Sequence, residues 1–161
     1  MNGITEVPRL PVVYLDTNVF IRGLEGSDAD AAPVKKLLQQ LRQVPNASAT
    51  SELTLAELLA PVTRPDALHL NQKEPLYLDL IVSGGFIALY PVTRDLLIST
   101  AHLRLNHPQK LPDAVHIVTA YETNCRYFMS DDRDGRKLPY GLIHLYPDDA
   151  GVDTVVDAIH A

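Results

Sequence analysis

Five acids in this chain occupy places where carboxylates do chemistry. Asp16 follows the apolar run Val12-Val13-Tyr14-Leu15, and Asp131 and Asp132 follow Tyr127-Phe128-Met129. Glu57 and Asp113 fall near the starts of two helical stretches. All are far apart in sequence except the Asp131-Asp132 pair. In a parallel sheet, strand carboxyl ends and the amino ends of the helices that follow share one edge, so the fold can gather these acids in one pocket. Crowded carboxylates repel and raise one another's pKa. A hard divalent cation relieves that repulsion. Mg²⁺ and Mn²⁺ take oxygen ligands, keep several waters and serve phosphate chemistry.

Each acid also has a purely structural reading. Asp16 can be a helix N-cap, and Glu57 can close a capping box over Thr54-Leu55-Ala56-Glu57. Asp113, right after Pro112, suits a helix dipole, and Asp131 and Asp132 suit a turn. The joint arrangement says more than any single acid, so the elements that position them matter.

Residues 12–15 read as a strand buried on both faces, with Asp16-Thr17-Asn18 capping a short helix over 19–24. Residues 27–44 read as an amphipathic helix, with Pro33 in its first turn and Val34, Leu37, Leu38 and Leu41 on one face. A weak strand over 47–50 leads to a helix over 51–59. The proline-containing stretch 61–75 reads as loop. A helix over 76–82 ends at Gly84-Gly85, and 86–90 is a strand. Thr93 caps a helix that stops at His107-Pro108, and Pro112 opens another that runs to about Thr123. Strands over 127–129 and 142–145 and a helix over 152–160 complete the chain. This alternation predicts an α/β fold, a three-layer α/β/α sandwich with a mainly parallel central sheet.

The chain has 161 residues, ordinary globular proportions of hydrophobic (46%) and charged (21%) residues, and a single cysteine, Cys125. One domain over 1–161 is expected, with its core at about 12–146 and an acidic C-terminal helix at about 148–161. One thiol makes no internal disulfide, and no Cys/His set has zinc spacing. Residues 1–11 lack the apolar core of a signal peptide, and no window approaches the ~18 apolar residues of a membrane span. A cytoplasmic protein with no membrane partner is expected. The net charge of −6 excludes broad electrostatic coating of nucleic acid. Four acids, Asp148, Asp149, Asp153 and Asp157, lie after residue 147, where no Lys or Arg stands, so the rest of the chain is close to balanced.

Four segments carry a family resemblance. Val12-Val13-Tyr14-Leu15-Asp16-Thr17-Asn18-Val19-Phe20-Ile21 resembles the opening motif of PIN-domain ribonucleases. Ser51-Glu52-Leu53-Thr54-Leu55-Ala56-Glu57-Leu58-Leu59 resembles their second motif. Leu111-Pro112-Asp113-Ala114-Val115-His116-Ile117-Val118-Thr119-Ala120 resembles the third, and Phe128-Met129-Ser130-Asp131-Asp132-Arg133-Asp134 the fourth. All four stand in order at compatible intervals, across roughly 12–146.

The resemblance implies metal-dependent cleavage of RNA with Mg²⁺ or Mn²⁺. It implies an acidic site of Asp16, Glu57, Asp113 and Asp132, with Asp16 and Asp113 as the foremost metal ligands. Thr17, Asn18 and Ser130 would support those ligands from behind. The fourth motif reads Ser130-Asp131-Asp132, so either Asp131 or Asp132 can face the site. Gly135 stands where the family often has an aromatic. Hydrolysis leaving a 5′-phosphate and a 3′-hydroxyl needs no Ser, His or Cys nucleophile. Arg22, Arg133, Arg136 and Lys137 are the cations nearest the motifs and are expected RNA-backbone contacts. Many small members of the family are toxins of the VapC type, so a cognate antitoxin and a homodimer are expected partners, with the helices at 27–44 and 51–59 as their surfaces.

His116, three residues after Asp113, reads either as a phosphate contact or general acid or as a packed helix histidine. A haloacid-dehalogenase-type phosphatase is the nearest rival enzyme, but it needs Asp-x-Asp after the first strand, and the chain has Asp16-Thr17-Asn18. A non-catalytic binding module on the same scaffold would be expected to have lost acids, and none is lost. No Gly-rich nucleotide-binding signature occurs.

Overall fold

A computed structural model describes residues 10–134 and 137–161. Gly135 and Arg136 lie outside the described residues, as do most of the residues read for a signal peptide. Five short strands form: β1 (Val13–Leu15), β2 (Ser48–Ser51), β3 (Ile87–Tyr90), β4 (Tyr127–Met129) and β5 (Ile143–Leu145). They make one sheet in the order β3-β2-β1-β4-β5, and every pairing is parallel.

Between the strands run α1 (Thr17–Glu25), α2 (Asp28–Gln43), α3 (Leu53–Leu58), α4 (Leu70–Tyr77), α5 (Arg94–Asn106) and α6 (Leu111–Glu122), with α7 (Asp149–His160) at the end. The period of two along a strand divides the core into two layers. Val13 and Leu15 of β1, with Tyr127 and Met129 of β4, pack under α1, α2, α4 and α7. Tyr14 and Phe128 point the other way, into Leu96, Leu103 and the apolar side of α6. Helices therefore cover both faces, and the expected three-layer sandwich is what the chain forms. α7 joins the first layer through Val152, Val155 and Ile159.

One region departs from expectation. Residues 61–69 are loop, but α4 begins at Leu70 and holds Pro75 inside it. An internal proline removes a backbone donor and crowds the preceding turn, which is why the sequence pointed to loop through 75. Tertiary anchoring overrides that cost. The His69 N–H donates to Gln72 Oε1 at 3.1 Å, and Lys73 and Tyr77 are buried. Beyond Pro75 the chain widens into a π-helical turn, Leu78–Ser83, where an ordinary helix was expected. Gly85, at φ 73°, then reverses it toward β3.

The sheet order sets the place of any site. From β1 the chain moves outward to β2 and β3, then crosses back to β4 on the other side of β1. The crossovers diverge between the carboxyl ends of β1 and β4, the crevice where open α/β sheets bind ligands.

Candidate active site

Asp16 and Ser130 stand at that divergence, one residue beyond β1 and β4. Backbone bonds fix both: Asp16 N–H donates to the Met129 carbonyl and Ser130 N–H to the Leu145 carbonyl, each at 3.0 Å. Asp16 caps α1 through Thr17 N–H on Oδ1 (2.8 Å), and its Oδ2 accepts the Ser130 hydroxyl (2.8 Å). The structural and functional readings of Asp16 therefore coexist. Ser130 Oγ also accepts from Asn18 Nδ2 and from Asp132 N–H, both at 3.1 Å. One donor and two acceptor sites exhaust a hydroxyl, so buried Ser130 is fully engaged. Asn18 Oδ1 accepts Asp131 N–H at 2.9 Å and completes the clasp between the two loops. With its amide committed on both sides, Asn18 has no proton-transfer role of the kind a phosphatase asks of that position.

Glu57 does not close a capping box. α3 begins at Leu53, so Thr54 lies inside the helix, where its hydroxyl meets Thr50 at 2.8 Å. The Glu57 carboxylate turns toward β1 instead. Its Oε1 accepts the Thr17 hydroxyl at 2.9 Å and is hydrogen-bonded to His116 Nε2. Burial pushes the pKa of Glu57 up, but the hydrogen bonds to His116 and Thr17 outweigh it, so the carboxyl sits below its ordinary value.

Asp113 sits in the first turn of α6, where the helix dipole favours it. Its pKa is nevertheless raised, first by burial, then by Asp16, with smaller contributions from Asp132 and Glu57. Asp113 thus feels the other three acids. Asp16, Asp113 and Asp132 line one open pocket with His116, Ser130 and His144.

The Asp131-Asp132 pair is divided. Asp131 turns aside to Arg22 Nη1 (3.1 Å) and Arg133 Nη2 (3.5 Å), while Asp132 lines the pocket and accepts Asp134 N–H at 3.2 Å. Arg22 also reaches Asp30, at 3.4 Å, and Arg133 stacks over Tyr146, 4.3 Å from its ring centre. Both arginines are therefore already paired, and Lys137 is exposed. Three polar lining residues escaped sequence reasoning: Asp134, Gln109 and His144, whose Nε2 lies 2.9 Å from the Ser130 carbonyl. Asp134 was signalled by the acidic run Ser-Asp-Asp-Arg-Asp. Nothing local marks Gln109 or His144.

Among the described residues, no three His, Cys, Asp or Glu side chains close into a ready-made metal cage. The site is an open cup of hard oxygen donors. That fits an ion bound through few carboxylates while keeping several waters, as Mg²⁺ is. No described helix is long and apolar enough to cross a membrane.

Solved structures share this fold. A toxin–antitoxin complex from Klebsiella pneumoniae contains a chain 20% identical, with a TM-score of 0.57 and coverage of 81% of this chain and 95% of that one. VapBC2 from Rickettsia felis, bound to a DNA fragment from its promoter, gives 15% identity, a TM-score of 0.55, and 84% and 98% coverage. FitAcB from Neisseria gonorrhoeae gives 19% identity, a TM-score of 0.51, and 91% and 94% coverage. A search of curated proteins returned no match. The PIN domain family model matches residues 13–139, the span that holds the sheet from β1 to β4 and all four acids, and the chain belongs to the PIN domain family.

Proposed function

We propose that this chain is a metal-dependent ribonuclease, hydrolysing RNA phosphodiester bonds, and the toxin of a toxin–antitoxin pair. The observation that carries the reading is that Asp16, Asp113 and Asp132 line one pocket of a PIN domain, with Glu57 behind it and near enough to act on Asp113. PIN domains generally use divalent metals, and the hard-oxygen donor set suits Mg²⁺ or Mn²⁺. Asp16, Asp113, Glu57 and Asp132 would hold the ion, and Asp131 is left out because its charge goes to Arg22 and Arg133. When bound, such an ion polarises a scissile phosphate and acidifies water.

The protein's own part is positioning. Thr17 N–H and Ser130 hold both oxygens of Asp16, and Thr17 and His116 hold Glu57 ionised. The raised pKa of Asp113 makes it the carboxylate most relieved by a cation. Arg22, Arg133 and Lys137 contact the RNA backbone, the two arginines by exchanging part of their hold on Asp131 for phosphate. One of the similar solved structures is described as a toxin–antitoxin complex, which supports a protein antitoxin as partner. A homodimer belongs to the same reading, although the apolar side of α2 is buried in the core and is not available as its surface.

The test is cleavage of RNA by the purified chain. Cleavage should require Mg²⁺ or Mn²⁺, stop with EDTA, and vanish in Asp16→Asn plus Asp113→Asn. Undiminished cleavage by that variant would sink the assignment. Coexpression with the product of a short neighbouring reading frame tests the antitoxin, and light scattering tests the dimer.

A further inference from the structure

His116 is 1% exposed, so it is shut off from a phosphate in solution. It is also more than a packed side chain, because both ring nitrogens have polar partners. Nδ1 lies 2.6 Å from the Tyr14 hydroxyl, and Nε2 is bonded to Glu57 Oε1. Tyr14, fully buried, already accepts the Ser51 N–H at 3.1 Å. Its own proton is then directed at His116 Nδ1. A ring nitrogen that accepts there leaves the imidazole hydrogen on Nε2, where it points at Glu57.

We propose that Tyr14 and His116 are positioning residues for Glu57: Tyr14 selects the Nε2–H form of the ring, and that N–H clamps Glu57 Oε1. Thr17 donates to the same oxygen at 2.9 Å, so Oε1 is saturated from behind. Rotation of the carboxylate is blocked, and Oε2 is the oxygen left for the acidic cup. The chain Ser51–Tyr14–His116–Glu57 links β2, β1, α6 and α3, so the orientation of one acid depends on four elements. Stacking of Tyr14 on Phe128, with ring centres 5.3 Å apart and planes 9° from parallel, keeps the phenol from swinging away.

This inference rests on the proposed metal site, and its test separates the two. Metal-free protein is titrated with Mn²⁺ by calorimetry as the unaltered chain, His116→Leu, His116→Gln and Tyr14→Phe. Groups that orient metal ligands from behind change affinity about 10–100-fold when removed. His116→Leu should weaken Mn²⁺ binding by that factor with the fold retained. His116→Gln, which keeps a donor near the Nε2 position, should recover most of it. Long-range ¹H–¹⁵N spectra of His116, recorded without metal, should show hydrogen on Nε2 and a bare Nδ1, with that preference lost in Tyr14→Phe. A folded His116→Leu that binds Mn²⁺ like the unaltered chain overturns the proposal, as does hydrogen on Nδ1. If the unaltered chain takes up no Mn²⁺, the metal reading falls, while the nitrogen spectra still decide the Tyr14–His116–Glu57 geometry.

Discussion

Replacing Ser130 by alanine removes one oxygen and unmakes three hydrogen bonds. The hydroxyl donates to Asp16 Oδ2 at 2.8 Å and accepts from Asn18 Nδ2 and Asp132 N–H at 3.1 Å each. A hydrogen bond to a charged group contributes about 1.5–3 kcal/mol, and a neutral one about 0.5–1.5 kcal/mol. The three together reach about 2.5–6 kcal/mol if nothing replaces them. Ser130 is 2% exposed, but Asp132 beside it faces solvent, so water entering the gap restores part of the loss. A net destabilisation of about 2–3 kcal/mol follows. For a chain of this size that is a fall of about 4–12 °C in melting temperature. Urea and thermal unfolding in EDTA measure it without any contribution from metal. Asn18→Ala, alone and combined, closes a cycle in which the pair should couple by about 1 kcal/mol, because both serve the same clasp. A loss below about 1 kcal/mol in folded Ser130→Ala, with no coupling to Asn18, would refute the claim that this hydroxyl holds the two loops together.

The remaining predictions concern charge and packing. Asp113 is raised in the folded state, so the folded chain binds more protons than the unfolded one, and this group lowers stability as pH rises through the carboxylate range. Glu57 is lowered, so its stabilising contribution is present at neutral pH and disappears as pH falls through its folded value. A cation relieves Asp113, so Mn²⁺ at about 100 Kd should add roughly 2.7 kcal/mol near pH 8, and much less near pH 4. Melting curves with and without EDTA at both pH values check this, and equal shifts contradict it. A Cβ on Gly23 would stand 2.5 Å from Val34 Cγ1, so Gly23→Ala should push α1 from α2 and cost about 1–3 kcal/mol in urea unfolding. Lys73→Met leaves the largely buried Glu25 carboxylate facing the Tyr77 hydroxyl without its cation, and should cost about 3 kcal/mol. Adding Glu25→Gln should recover most of that loss in the same assay.

The strands and the four acids were legible because their signals are local. Val13-Tyr14-Leu15 and Tyr127-Phe128-Met129 are apolar on both faces, and each is followed at once by polar residues at a sheet edge. The segment 70–75 was misread because Pro75 is a local signal against helix, while the burial of Lys73 and Tyr77 that overrides it is tertiary. Likewise Thr54 and Glu57 have capping-box spacing, yet the helix starts elsewhere and Glu57 finds Thr17 and His116 across the fold. The choice between Asp131 and Asp132 was invisible for the same reason, since it depends on Arg22, more than a hundred residues earlier.

That choice also bears on the charge of the site. A further carboxylate would add to the repulsion Asp113 already feels from Asp16, Asp132 and Glu57. By turning Asp131 onto Arg22 and Arg133, the fold takes one negative charge out of the cup and sets it against the two arginines. Asp16 and Asp132 are held by neutral donors: Thr17 N–H and the Ser130 hydroxyl on Asp16, Asp134 N–H on Asp132. Neutral donors orient a carboxylate without cancelling its charge, as a lysine or arginine beside it would. The chain therefore keeps its cations one layer out and leaves the negative potential of the cup for an ion from solution. On this account the acidity of the whole protein is no obstacle to an RNA substrate. On the proposed reading, what decides is that Asp16, Asp113 and Asp132 share one pocket, with Arg22 and Arg133 held beside it through Asp131.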